Sequence, residues 1–264
     1  MAAASWHHDR FAAMGTVVSI GVELPDAAWP AAFAAAKAAF EELEARFSLY
    51  RPGSELSRIA DGSLTLPRAS VEVLDAYALA VRWRNETGGA FTPDRPDGIL
   101  DLNGVVKALA IDKVGEVLRH SSAENFSINA GGDILYAGVA AGGEAWTTGI
   151  TDPFDPDVLL TSVELFGDHR AIATSGFSER GQHIWLHGAG TGSFGLGDFS
   201  QVTVMAADIV TADALATAIL AASDGHPAGF ADLASPHGAE VLAVTPEGSV
   251  YATPGIRSQI RAEP

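Results

Sequence analysis

Helical and strand periodicities are segregated along this 264-residue chain, and that segregation constrains the fold more than any other feature. One alternating strand comes first, over residues 16–24, with Val18, Ile20, Val22 and Leu24 on one face. Three amphipathic helices follow. The first carries Phe33, Ala36, Phe40, Leu43 and Phe47 at spacings of three and four, with Pro30 in its first turn. The second spans residues 71–86, capped by Ser70 and stopped by Gly88-Gly89. The third covers residues 105–120 and buries Ala110, Val114, Val117 and Leu118. The second half is built of short β-type runs broken by glycine: "FSINAGGDILYAG", "AIATSGF", "HIWLHG", "QVTVMAAD" and "AEVLAVTPEGSVYAT". The last is a hairpin signal, two apolar runs around "TPEG". Only one apolar helix, around Asp213, interrupts this series. Helices that do not alternate with strands exclude a doubly wound parallel sheet, so the pattern predicts α+β with mainly antiparallel sheets and packed helices. No Pro/Ser-rich or charged linker divides the chain, which predicts a single domain over residues 1–264.

Composition narrows the partners. Sixteen basic residues against 33 acidic ones give a net charge of −17, which argues against nucleic acid, since a phosphate backbone needs a basic footprint. A phosphate-bearing ligand would have to be held locally, by a few placed cations, a metal ion or helix N-termini. No apolar run is long enough for a membrane span, and the start "MAAASWHHDRFAAMGT" lacks the basic-then-apolar order of a secretory signal. The absence of cysteine excludes disulfides and thiolate metal sites. The expected compartment is the cytoplasm, with His7-His8 solvated near the terminus.

Four stretches carry chemistry. In "VTADALATAIL", Asp213 and Thr217 stand four apart in an otherwise apolar run, so a helix puts both oxygens on one face. They either grip one hard cation, magnesium above all, or serve as a first-turn carboxylate and a surface threonine. In "DLNGVVKALAID", Lys107 falls in the first turn of a helix after a strand end and a glycine. It is either part of an anion site or a surface lysine beside a cap. In "NAGGDI" the two glycines mark a bulge, a close backbone approach, or a simple turn with Asp133 as its polar residue. "TSGFSERGQHIWLHG" offers Ser175 without a nucleophile elbow, and His183 at a strand start, where a histidine is commonly structural.

Taken in order, "FAAMGT", "FSLYRPGSELSRIA", "TGGAFTP", "DLNGVVKALAIDKV", "SINAGGDILYAG", "ATSGFSERGQHI" and "ADALATAIL" resemble the ApbE-like FAD:protein FMN transferases over nearly the whole chain. The resemblance implies a T-fold-like ApbE architecture, FAD as substrate and a magnesium ion. It implies splitting of the FAD pyrophosphate, departure of AMP, and transfer of FMN to a threonine or serine of an acceptor flavoprotein with a flavinylation motif. By matching positions, Met14, Tyr50, Ala90 and Phe91 would line the flavin and adenine pockets, and Lys107 would meet the phosphates. Ser175, His183 and Ile184 would border the reacting end, with His183 as general base toward the acceptor hydroxyl. Asp213, Thr217 and the backbone carbonyl of Val106 would hold the metal. The chain departs from the family pattern where Val106 replaces a small residue, Ala108 a glycine and Thr92 an aspartate. No Asp-Pro follows the histidine of "HIWLHG". Two other readings use the same pocket: an FAD pyrophosphatase yielding FMN and AMP, and a non-catalytic flavin-binding protein.

Overall fold

A computed structural model of the chain describes residues 3–176, 198–222 and 229–261. The chain forms two compact units. The first comprises Met1–Arg82 and Thr92–Glu144, the second Trp83–Phe91 and Ala145–Pro264.

The first unit is an antiparallel sheet covered by helices. Strands β1 (Ala4–Ala13) and β2 (Thr16–Pro25) form a hairpin, β2 pairs with β3 (Phe126–Ala130), and β3 pairs with β4 (Asp133–Ala137). Alternation on β2 buries Val18, Ile20, Val22 and Leu24 almost completely, and Ile20 faces Ile128 across the ladder. Helices α1 (Trp29–Phe47) and α4 (Asn103–His120) pack on each other and on the sheet, α1 against β1 and α4 against β3 and β4, and each large apolar side chain so buried contributes about 1.5–3 kcal/mol. Helix α1 buries Ala36, Phe40 and Phe47, while Phe33 and Leu43 are half-buried along its margin. Short α2 (Glu55–Ala60) and most of α3 (Val71–Glu86) complete this unit. Ser70 accepts from the Val73 amide at 3.4 Å, and Gly88 and Gly89 take positive φ just beyond α3, as the sequence predicts. Helix α4 passes close over β4, because a Cβ on Gly115 would stand 2.8 Å from the Leu135 side chain.

The second unit has two sheets. Strands β5 (Thr147–Asp152) and β6 (Asp155–Glu164) pair antiparallel, with β11 (Ile260–Arg261) on the other side of β6. Strands β7 (Ala171–Gly176), β8 (Gln201–Ala206), β9 (Glu240–Val244) and β10 (Val250–Ala252) form an antiparallel series. The "TPEG" hairpin joins β9 to β10, with the Thr245 amide donating to the Ser249 carbonyl at 2.9 Å. Helix α5 (Ile209–Ala221) lies on β7 and β8 and is buried nearly all round, as a helix without a polar face must be. Strand β8 is buried along its whole length, and the Gln201 side chain reaches across to the Thr151 carbonyl at 3.0 Å. Two further short helices, α6 (Phe230–Ala234) and α7 (Pro254–Gln259), flank β9.

The α+β class with antiparallel sheets is therefore observed. Three expectations are corrected. Val117 is half-buried, because it sits on the margin of the stripe defined by Ala110, Val114 and Leu118. His7 belongs to β1 and is not solvated: its ring stacks on Trp29 at 5.6 Å and its Nε2 lies 3.0 Å from the Leu24 carbonyl. Helix α4 starts at Asn103, so Lys107 falls in the second turn rather than the first. Among the described residues, no helix is long and apolar enough to cross a membrane.

Candidate functional site

Helix α5 carries a polar pair inside an apolar element. Its cap is Asp208, whose carboxylate accepts from the Thr211 amide at 2.8 Å and from the Thr211 hydroxyl at 2.8 Å. Asp213 lies beyond the first turn, so the first-turn reading of that carboxylate is corrected: the capping role is filled five residues earlier. Asp213 is only 4% exposed, and Thr217 follows one turn on, half-buried. Thr217 is therefore not a surface threonine. Its Oγ1 lies 3.3 Å from the Oγ of Ser175 on β7, a pair in which either hydroxyl can donate. Burying a carboxylate is costly unless donors or a cation compensate it. A buried carboxylate, a threonine hydroxyl one helical turn on and a serine hydroxyl 3.3 Å from that threonine are an all-oxygen set of the kind suited to a hard cation such as magnesium, which keeps several waters and takes few protein ligands.

In the first unit, α4 and β4 build a second charged feature. The chain turns from β3 into β4 through Gly131 and Gly132, with φ of 61° and 89°, a two-residue hairpin loop that only glycine enters without penalty. The Asn129 side chain accepts from the Gly132 amide at 3.0 Å. The glycines of "NAGGDI" thus form a simple turn. Asp133, however, is not its polar surface residue: it is fully buried and forms an ion pair with Lys107, whose side chain is 11% exposed. Val106, one residue earlier, is 3% exposed, and its amide donates to the Leu102 carbonyl at 3.0 Å. At the start of the same helix the Asp101 carboxylate already accepts the Asn103 amide at 2.9 Å.

The remaining sequence-derived positions fall in both units. Met14 occupies the tip of the β1–β2 hairpin with φ of 49°, a left-handed conformation rare for a side chain of this size, followed by Gly15 at 72°. Tyr50 is 79% exposed, whereas Ala90 and Phe91 are buried, the Phe91 amide donating to Thr87 Oγ1 at 3.0 Å. Thr92 Oγ1 accepts from the Asp94 amide at 3.1 Å and is engaged in a local turn. His183 and Ile184 lie outside the described residues. The structure thus brings Ser175 and Thr217 together in one unit and sets Lys107 against Asp133 in the other. Asp133 is the charged residue that sequence reasoning undervalued; the available signal was a carboxylate opening the apolar strand "DILYA".

Two curated relatives share part of this sequence. A protein named FAD:protein FMN transferase from Vibrio cholerae is 29% identical over 139 residues, covering 50% of this chain and 41% of that protein. One of the same name from Haemophilus influenzae is 27% identical over 131 residues, covering 47% and 38%. The matched segment therefore spans less than half the length of either relative. Among solved structures, the ApbE protein of Thermotoga maritima superposes with a TM-score of 0.79 at 20% identity, over 98% of this chain and all of the other. That likeness establishes a shared fold. The model of the ApbE family matches residues 14–94 and 93–242, nearly the whole span from the first hairpin into β9. With that coverage, and with the same fold, the chain belongs to the ApbE family.

Proposed function

We propose that the chain is a magnesium-dependent FAD:protein FMN transferase, acting as one domain over residues 1–264 in the cytoplasm. In this reaction a threonine or serine oxygen of an acceptor flavoprotein attacks the FMN phosphorus. A phosphoester forms, the pyrophosphate P–O bond breaks, and AMP leaves. The observation that carries the reading is the set of oxygens on α5 and β7: a buried Asp213, Thr217 one turn on, and Ser175 of β7 3.3 Å from Thr217. The names of the two relatives point to the same activity.

Asp213 and Thr217 would hold the cation, with the Val106 carbonyl assigned on the family resemblance alone. Bound magnesium supplies Lewis-acid neutralisation of the pyrophosphate and of the leaving AMP. Lys107 is assigned to the phosphates, held in place by Asp133. Met14, Tyr50, Ala90 and Phe91 are assigned to the flavin and adenine, and His183 and Ile184 to the reacting end, with His183 taking the acceptor proton.

Hydrolysis of FAD on the same scaffold is the second reading, favoured by one observation: Thr92 stands where the family carries an aspartate, and its hydroxyl is used in a turn. Purified protein incubated with FAD and magnesium, with and without an acceptor, separates the two. AMP release together with a fluorescent acceptor band on a denaturing gel supports the transferase. AMP release that is independent of acceptor and leaves no band supports the pyrophosphatase. No AMP under either condition overturns both.

A further inference from the structure

We infer that Ser175 is a positioning residue for the metal ligand Thr217, rather than a group that touches the flavin; the inference rests on the proposed cation site. Strand β7 alternates, so Ala171, Ala173 and Ser175 share one face, and the bond to Thr217 identifies it as the face under α5. Ala171 and Ala173 are fully buried there. Ser175 follows them on that face, half-buried near the end of the strand, and differs from the two alanines by one hydroxyl. That hydroxyl lies 3.3 Å from Thr217 Oγ1.

A threonine hydroxyl has one proton and two lone pairs. When it ligates a cation, a lone pair faces the metal and the proton must find an acceptor. Within a helix the competing choice is the carbonyl one turn back, which turns the hydroxyl along the helix. Ser175 supplies an acceptor on the neighbouring strand instead. With Thr217 donating to Ser175, its lone pairs stay on the helix face shared with Asp213. Partners that orient a ligand in this way are a general requirement of metal sites.

The test is Mn2+ binding in the absence of FAD, followed by electron paramagnetic resonance, so that it does not depend on turnover. Ser175→Ala should raise the Mn2+ Kd about three- to ten-fold, the scale of one hydrogen bond, because without Ser175 the Thr217 hydroxyl bonds the carbonyl one turn back and must leave it to ligate the cation. Ser175→Thr, which keeps the hydroxyl, should bind within about two-fold of the parent. In a Thr217→Val background the Ser175→Ala effect should vanish, because the route through Thr217 is gone. An unchanged Kd in Ser175→Ala, or an equal loss in the Thr217→Val background, overturns the inference. Asp213→Ala serves as the reference. If it too leaves Mn2+ affinity intact, the cation site itself has failed. If it abolishes binding while Ser175→Ala does not weaken it, only the role of Ser175 has failed.

Discussion

Replacing Lys107 with methionine removes the ammonium while keeping an unbranched side chain of similar length. Its partner Asp133 has no exposed side-chain surface, and Lys107 itself is 11% exposed. Taking one member from such a pair leaves the other buried without its counter-charge, a loss of about 3–5 kcal/mol in comparable cases. For a chain of this size, about 2–4 °C of melting temperature follows each kcal/mol, so Lys107→Met should melt roughly 10 °C below the parent. The double variant Lys107→Met/Asp133→Leu replaces the pair with apolar groups of similar volume. It should recover most of the loss, since well-packed hydrophobic replacements of buried pairs are often neutral. Calorimetry of the parent, both single variants and the double variant, without metal or FAD, completes the cycle. A Lys107→Met loss below about 1 kcal/mol, or a double variant as unstable as the sum of the singles, would refute the reasoning.

Two further outcomes follow. Met14 holds a left-handed φ of 49° in a two-residue hairpin loop where asparagine is preferred. Met14→Asn should therefore stabilise the protein by about 1 kcal/mol while weakening FAD binding in a fluorescence titration; lower stability, or unaltered affinity, would show that the side chain is not retained for the ligand. Asp208→Ala removes the cap of α5 and should cost about 1 kcal/mol of stability with Mn2+ affinity preserved, which separates the capping carboxylate from Asp213.

What the sequence made legible was local. The α3 boundaries followed from Ser70 and the paired glycines, the "TPEG" turn from its composition, and the inner face of β2 from strict alternation. Strand β1 escaped notice because "ASWHHDRFAA" is exposed along most of its length and carries no alternating apolar signal. Strand β6 escaped for the same reason, with five consecutive exposed residues at its start. The site was legible only in part. Asp213 and Thr217 share a helix face by spacing alone, but Ser175 reaches Thr217 from 42 residues away. Lys107 meets Asp133 only after the chain has completed α4 and turned between β3 and β4. Such meetings are set by tertiary packing, here by the close passage of α4 over β4 at Gly115, and not by local pattern.

The cation site is tested most directly by anomalous diffraction from a crystal soaked with Mn2+ and FAD. The account predicts one strong manganese peak in contact with the Asp213 carboxylate and the Thr217 hydroxyl, beside the pyrophosphate. Ordered FAD with no manganese at those two side chains, or with manganese bound elsewhere, would contradict it.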